Sequence, residues 1–556
     1  MTASVRPTYA TPLARLIGLG SIFGKTLRDS RRATLLVGGL IGLLTIGVAA
    51  GIISQFATPE SRREIRQIVE AVPPIMQGLA GRPVNIETLG GYLQYKYGGF
   101  FPLVIGLWSI LALSGTLAGE TRRGSLDVLL AMPISRRRIA LQKVLGHVLM
   151  LAVAMLLIGG GTAIAGNAFA NLPGDEIPVG AALSYALWLG LMALIAGSVA
   201  FALAPFVGRG SAAGLAGALM LGGFLLNGYQ TAIPELGAAA NISWFDWTAD
   251  HIPLAGRYGW PSLALVAVVT AALLAVGIEA FARRDVGATT AIPSPRLPHA
   301  MLGLRSPVGR AAAERLPTAL GWGVGLGIFG LLLAASGSSF IDQVTKSPEF
   351  MQALSNIFPD TDFASVAGFL ELVFIEFGLV LAGLAAAALV GGWASDEATG
   401  RTELLLAAPV ARTTWPLAGA TGVFTGIAAI VVLTALGIAV GALLAAGDIA
   451  GPVLGTLAIG LYAAAMAGVG IAVGGLIRPG LAAPTVAVVT VLTWLVDLVG
   501  GDIGLPDVVH ELALSTHLGQ PMLGVWDPVG IIACLVLAIG GVALGAWGFA
   551  RRDLRG

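Results

Sequence analysis

The chain has 556 residues, of which 56% are hydrophobic and only 11% are charged, and its formal net charge is +1. Soluble domains carry about 25% charged residues, so this composition excludes a water-soluble protein with a single core. It predicts an integral membrane protein. The single cysteine, Cys534, excludes an internal disulfide and a cysteine-based metal site.

Twelve apolar segments are long enough to cross a membrane, which takes about 20 residues each. The first six are predicted near 34–54, 100–118, 141–168, 180–207, 211–232 and 259–281. The second six are predicted near 318–338, 368–394, 415–446, 451–477, 481–500 and 527–549. The fold class is therefore predicted to be all-α, with about twelve transmembrane helices.

Lysine and arginine fall mostly on one side of these segments. The two termini and every second loop carry 25 of the 32 basic residues. Loops on the cytoplasmic side of a membrane are enriched in Lys and Arg, so both termini are predicted to be cytoplasmic. The high content of Ala and Gly suggests a GC-rich bacterium, so the membrane is predicted to be a bacterial plasma membrane.

The chain repeats itself after about half its length. The sequence Phe-Ala-Arg-Arg-Asp stands at 281–285 and again at 549–553, after the sixth segment of each half. GSLDVLLAMPISR begins at Gly124, and GRTELLLAAPVAR begins at Gly400. Gly, the acid, the apolar triplet, Pro and Arg keep the same spacing, which indicates two homologous six-span units.

This repeat predicts three parts of the chain. They are a first half at 1–284, a cytoplasmic linker with a short surface helix at 285–317, and a second half at 318–556. Because six is an even number, both halves enter the membrane in the same sense. A pseudo-twofold axis along the membrane normal is expected to relate them.

The loop after the second segment of each half has a distinctive pattern. An acid ends the segment, a glycine permits a turn, and a short helix with one acid and several leucines follows until a proline ends it. A small leucine-bearing helix in the cytoplasm is suited to pack into a groove of another protein, although it could also be a simple turn. The residues that carry the pattern are Glu120, Gly124, Asp127, Leu129, Leu130, Pro133 and Arg136 in the first half, and Asp396, Glu397, Gly400, Glu403, Leu405, Leu406, Pro409 and Arg412 in the second.

These two loops resemble the coupling-helix region of the ABC-2 type transporter permeases. The wider plan is also similar, with basic elbow helices expected at Arg15–Arg32 and Val308–Leu316 before the first segment of each half. A large outer loop follows the first segment, and a long, partly apolar connection joins the fifth to the sixth. The fusion of both halves in one chain is similar to the antibiotic-export branch of that family, such as the tetronasin-type exporters.

The resemblance implies a separate ATPase subunit, two copies of which would dock on the two coupling loops. ATP and magnesium would be bound in that partner, and this chain would hold no cofactor or metal and would not be an enzyme. The sequence at 18–26, GLGSIFGKT, misses the P-loop spacing because Leu19 stands where the first glycine is required. No nucleic acid is expected as a partner.

Four polar or aromatic residues within the segments are candidates for the substrate pathway. They are Trp108, Asn227, Glu376 and Asp497. In the family that the chain resembles, the second and fifth segments of each half flank the central cavity. Intramembrane polar groups are costly and also serve as helix–helix hydrogen bonds, so a structural role is the alternative for each.

Two further local interpretations concern residues outside these sites. Glu279 stands four residues before Arg283, a spacing that predicts a salt bridge on one helix face. The segment that begins at Pro59, with Thr58 as its cap, predicts an amphipathic helix on the outer surface.

The function predicted from these observations is outward transport of a lipophilic or amphipathic compound, with drug or antibiotic efflux first. An exporter of lipid or of a cell-envelope precursor would have the same architecture. A proton-coupled secondary transporter using Glu376 or Asp497 is a rival that leaves the coupling loops unexplained. A membrane scaffold or sensor without transport is the third alternative.

Overall fold

The computed structural model describes residues 21–70, 78, 81, 83–116, 134–231, 236–283, 306–345, 364–398, 402, 411–500 and 506–552. The chain forms two compact units, Met1–Ser294 and Pro295–Gly556. The predicted linker at 285–317 is described only from residue 306 onward, so its extent and the boundaries drawn from it stay a prediction.

The first unit is built of helices throughout its described residues. In chain order they are α1 (Ile22–Gln55), α2 (Pro59–Glu70), α3 (Leu89–Tyr97), α4 (Phe100–Thr116), α5 (Arg136–Ala168), α6 (Val179–Val207), α7 (Arg209–Tyr229), α8 (Gly237–Ala240), α9 (Trp244–Trp247) and α10 (Trp260–Arg283). Serine side chains cap the N-termini of two of the long helices. Ser21 accepts a hydrogen bond from the Gly24 amide, and Ser135 accepts one from the Arg138 amide.

The second unit repeats this order. Its helices are α11 (Pro307–Ala335), α12 (Gly337–Thr345), α13 (Val366–Leu370), α14 (Glu376–Ala398), α15 (Thr414–Leu444), α16 (Ala450–Leu476), α17 (Ala482–Gly500), α18 (Asp507–His510) and α19 (Pro528–Arg551), with a π-helical turn at Glu371–Ile375 between α13 and α14. Among the described residues, strands are confined to the pair β1 (Gly519–Gln520) and β2 (Val525–Trp526).

Eleven described helices are long and apolar enough to cross a membrane, and the bent pair α3–α4 makes a twelfth. The prediction of an all-α membrane protein with about twelve spans is therefore confirmed. The chain is a multi-pass membrane protein.

The first span of each unit is longer than predicted. Residues 22–55 form one helix, and residues 307–335 form another that runs through Pro317. Within the described residues, no break separates the expected elbow helices at Arg15–Arg32 and Val308–Leu316 from the spans, so the prediction of separate surface helices was wrong there. Residues 22–55 contain no proline, and in the second unit the helix continues through Pro317 although proline removes a backbone hydrogen bond there.

Glycines bring the spans of each unit close together. A methyl group on Gly38 of α1 would lie 2.7 Å from the Cα of Ala154 on α5. In the second unit, a methyl group on Gly437 of α15 would lie 2.0 Å from the carbonyl oxygen of Gly327 on α11. Small residues at such contacts let helix backbones approach in a membrane, where van der Waals packing replaces the hydrophobic effect.

Candidate functional site

The second span is irregular at the same place in both units. In the first unit α3 and α4 meet at a 50° bend at Gly98 and Gly99. In the second unit the π-helical turn ends at Ile375, and α14 begins at Glu376. When Gly91-Tyr92-Leu93 of the first unit is aligned with Gly368-Phe369-Leu370 of the second, Glu376 aligns with Gly99. Breaks of this kind in a helix are frequent at functional sites.

A short turn before the sixth span packs against this irregular second span. It consists of a 3₁₀ turn followed by a left-handed glycine, with Pro253–Ala255 and Gly256 in one unit and Pro521–Leu523 and Gly524 in the other. In the first unit the Asn85 amide nitrogen donates to the Ala255 carbonyl at 3.1 Å. Sequence reasoning missed this turn, although Pro-x-x-Gly recurs there at an interval of 268 residues.

In the second unit the turn is held by a different contact, which a carboxylate makes. Glu371, in the π-helical turn, accepts a hydrogen bond of 2.7 Å from the backbone amide of Met522. The π-helical turn of the second span is therefore tied to the connection between the fifth and sixth spans of the second unit.

Two of the four predicted pathway residues lie in the second unit, near the contact between its second and fifth spans. The rings of Phe377 and Trp494 have centroids 6.4 Å apart and join α14 to α17. Glu376 precedes this phenylalanine, and Asp497 lies three residues beyond the tryptophan. Both carboxylates are half-buried, and Asp497 accepts a hydrogen bond from the Ser515 hydroxyl.

The other two predicted pathway residues lie in the first unit, in different surroundings. Trp108 of α4 contacts the ring of His147 on α5, with centroids 5.6 Å apart. Asn227 of α7 accepts a hydrogen bond of 3.2 Å from Gln230. Gln230 also donates to Asp246 at 2.6 Å. Because the two units are described separately, a cavity that all four residues share stays a prediction.

Most of the predicted coupling-loop residues lie outside the described residues. In the first half these are Glu120, Gly124, Asp127, Leu129, Leu130 and Pro133, and in the second half Gly400, Glu403, Leu405, Leu406 and Pro409. The described ones are Arg136, at the start of α5, and Asp396, Glu397 and Arg412, which flank the second loop.

The two acids before the second loop are both paired with arginines of other helices. Arg315 Nη2 of α11 lies 3.2 Å from Asp396 Oδ2, with side chains 8% and 11% exposed. Glu397 pairs with Arg552, which follows α19. Arg412 Nη1 donates to the Arg552 carbonyl at 3.5 Å. The end of α14, and so the entry to the second loop, is held by its own unit on two sides.

Stacked aromatic rings support the same region. Trp393 of α14 and Trp415 of α15 have centroids 4.9 Å apart, and Trp415 and Phe549 of α19 are 4.7 Å apart. Beside them lies a cavity of about 60 Å³ with mainly apolar walls. Pockets for drug-sized ligands have about 300–1,000 Å³, so this cavity is too small to hold such a compound.

In the first unit, an ion pair joins the sixth span to the start of α5, the helix that follows the first predicted coupling loop. Glu279 of α10 pairs with Arg283, as predicted, and also with Arg137 of α5 at 2.6 Å. In the repeat, Thr413 and Trp547 replace Arg137 and Glu279 in the second unit. The two loops are thus anchored by different residues.

A buried ion pair holds the connection between the first and second spans of the first unit. Thr58 caps α2 by accepting from the Ser61 amide, as predicted. Arg62 Nη2 lies 3.2 Å from Asp175 Oδ2, with side chains 3% and 1% exposed. Burial lowers the pKa of Arg62 from its usual value, and the charge of Asp175 opposes this effect. Helix α2 is therefore anchored on the unit, which favours a structural role over a mobile gate.

Metal ligands do not gather anywhere in the described part of the chain. No group of three or more His, Cys, Asp or Glu side chains there could hold a metal ion.

Comparisons with known proteins find two family models and one relative that are similar to this chain. Residues 20–286 match the family model "ABC-2 family transporter protein". Residues 304–550 match the model "Multidrug efflux system permease Rv1217c, C-terminal domain". The chain is 27% identical over 536 residues to the multidrug efflux system permease protein Rv1217c of Mycobacterium tuberculosis (strain ATCC 25618 / H37Rv). That similarity covers 92% of this chain and 91% of the relative.

Proposed function

This chain belongs to the ABC-2 type transporter permeases, and we propose that it is the membrane-spanning subunit of an ATP-driven exporter of lipophilic or amphipathic drugs. The observation that carries the proposal is the similarity over nine-tenths of the chain to a multidrug efflux permease. The two units of similar helices are the second support.

The energy source in this proposal is a separate ABC ATPase, of which two copies dock on the coupling loops. The anchoring of Asp396 and Glu397 supports this mechanism. A push on the second loop would move α11 and α19 together with α14, because ion pairs join all three. The two termini would lie in the cytoplasm and the protein in the plasma membrane of a bacterium.

The substrate would cross next to the second and fifth spans of each half and leave by alternating access. The π-helical turn and the 50° bend support this route, because a broken helix can change shape at lower cost than a regular one. Trp108, Asn227, Glu376 and Asp497 are the side chains that we assign to this route.

The first experiment measures ATP hydrolysis by the complex of this chain with the ATPase that co-purifies with it, in lipid nanodiscs. Ethidium is the drug probe, and a fluorescent phospholipid tests lipid export. We expect ethidium to stimulate hydrolysis and the variant Asp127→Arg/Glu403→Arg to lose the ATPase. A double variant that keeps the ATPase and the stimulation would refute the docking.

The alternatives predict other outcomes. Stimulation by the fluorescent phospholipid alone would indicate a lipid exporter. A separate assay in proteoliposomes, which unlike nanodiscs can hold a proton gradient, tests the last alternative. Ethidium transport there that needs a proton gradient and continues without ATP would indicate a secondary transporter, with Glu376 or Asp497 as proton carriers.

A further inference from the structure

The first helices of the two units begin alike. Ser21 accepts from the Gly24 amide at 3.0 Å, and Ser306 accepts from the Gly309 amide at 3.0 Å. One ion pair follows in each helix at the same register. Lys25 Nζ lies 2.9 Å from Asp29, and Arg310 Nε lies 2.9 Å from Glu314. Each of these residues of the first unit has its counterpart in the second unit 285 positions later, and this offset aligns α1 with α11.

The comparison isolates three arginines that only the first unit has. They are Arg28, Arg31 and Arg32, and the corresponding residues of α11 are Ala313, Leu316 and Pro317. Because α11 folds and packs on α15 without them, the helix start does not need these charges. They are an addition to the repeated architecture.

All three arginines are exposed and take part in no ion pair among the described residues. Charges of α11 behave differently, since Arg310 pairs with Glu314 and Arg315 is buried against Asp396. Asp29 is the nearest acid along α1, and it is occupied by Lys25.

The same face of α1 continues into an apolar stripe. Arg28, Arg32, Leu35, Gly39 and Leu43 recur every three or four residues, which places them on one side of the helix. Leu35 and Leu43 are 63% and 69% exposed. A methyl group on Gly39 would meet nothing within 4 Å. In a membrane-spanning helix, such an open leucine stripe faces lipid chains.

We propose that Arg28, Arg31 and Arg32 bind the phosphate headgroup of an anionic phospholipid whose acyl chains lie along Leu35 and Leu43. Guanidinium groups suit this ligand, because their planar fork donates two parallel hydrogen bonds to phosphate oxygens. Leu35 begins one turn of helix, about 5.4 Å, beyond Arg31, so headgroup and chain contacts follow each other as they do in a lipid.

The test measures lipid binding to the purified full-length chain in detergent by native mass spectrometry. The probes are phosphatidylglycerol, which is anionic, and phosphatidylcholine, which is not. We expect the chain to retain phosphatidylglycerol preferentially. Each arginine near an anionic headgroup contributes about five-fold in affinity, so Arg28→Gln/Arg31→Gln/Arg32→Gln is expected to bind about a hundred-fold more weakly.

A matched control removes the same number of charges elsewhere. Arg63→Gln/Arg66→Gln/Lys96→Gln changes three cations that follow the first span of the same unit, and its phosphatidylglycerol binding is expected to stay within two-fold, on the order of experimental scatter. The thermal unfolding midpoints of both variants without added lipid establish that they are folded. The single variant Arg28→Gln, with an expected loss of about five-fold, serves if the triple variant does not fold.

Three results would overturn the proposal. They are unchanged phosphatidylglycerol binding by the folded arginine variants, equal binding of phosphatidylcholine, and displacement of the lipid by inorganic phosphate at equal concentration. The last result would assign the arginines to a free anion instead of a lipid.

Discussion

Arg315 of α11 and Asp396 of α14 form a buried ion pair at the entry to the second predicted coupling loop, with 3.2 Å between Nη2 and Oδ2. The two residues are 81 positions apart in the chain. Their pairing joins the first and second spans of the second unit at one end.

The first prediction concerns this pair. Asp396→Ala leaves the buried Arg315 guanidinium with Glu314, 3.9 Å from its Nη1, as its remaining carboxylate partner. The loss of stability is expected to be about 3 kcal/mol, at the lower end of the range for a broken buried pair. The measurement is the thermal unfolding midpoint of the purified chain. Arg310→Ala is the control, because its pair with Glu314 is more exposed and worth about 0.2–1 kcal/mol.

The reversed pair Arg315→Asp/Asp396→Arg tests whether charge is the cause. We expect it to recover part of the stability that Asp396→Ala loses. Equal midpoints for Asp396→Ala and the wild type would show that the pair does not hold this region.

The second prediction concerns the packing of α11 on α15. Gly437→Ala brings a methyl group to 2.0 Å from the carbonyl oxygen of Gly327, so the helices must separate. We expect a loss of about 1–3 kcal/mol, measured by thermal unfolding. Gly325→Ala is the control on α11, since its methyl group meets nothing within 4 Å. That change should be neutral or stabilising by up to about 1 kcal/mol.

The third prediction concerns the carboxylates of the proposed pathway. Glu376→Gln and Asp497→Asn each replace a half-buried carboxyl group by an amide of nearly the same shape. We expect the ethidium concentration for half-maximal ATPase stimulation to rise about ten-fold or more, because hydrogen bonds to charged groups contribute about 1.5–3 kcal/mol. Asp448→Asn, at an exposed site before α16, is the control and should change nothing. Unchanged stimulation in both variants would assign these carboxylates to structure alone.

The fourth prediction is a pH dependence of stability that arises from His251. This residue lies in the connection between the fifth and sixth spans of the first unit. This side chain is 1% exposed, its Nδ1 accepts from the Gly259 amide at 3.1 Å, and its Nε2 contacts the Ser184 hydroxyl at 3.2 Å. Burial lowers the pKa of His251 below its ordinary value of 6.5. The unfolded chain therefore binds this proton first as the pH falls.

Because the unfolded chain binds the proton more tightly than the folded chain, the protein loses stability as the pH falls. The stability contribution of His251 is complete above pH 6.5 and is lost as the pH falls through the lowered pKa of the folded protein. The measurement compares unfolding midpoints at pH 7.5 and 5.5, on the order of one unit to each side of the ordinary pKa. His251→Gln should weaken this dependence, and His517→Gln, at a half-buried histidine, should preserve it. An equal dependence in His251→Gln would contradict the assignment.

The number of spans and the all-α class were predictable from the sequence, because each depends on residues close together in the chain. The repeat was predictable because matching short motifs recur about half a chain length apart, which needs no knowledge of contacts. About 20 consecutive apolar residues define a span whatever its neighbours are. The pair Glu279–Arg283 was predictable for the same reason, since four residues make one turn of a helix.

What only the tertiary structure decided is how distant residues meet. The pairing of Arg62 with Asp175, of Glu371 with the Met522 amide and of Arg315 with Asp396 joins positions 81 to 151 residues apart. The pattern of spans allows many such partners, and the packing of helices selects among them. The uninterrupted helix at 307–335 and the π-helical turn before Glu376 also depend on tertiary packing, because local propensity alone does not decide where a long apolar helix bends or changes its period.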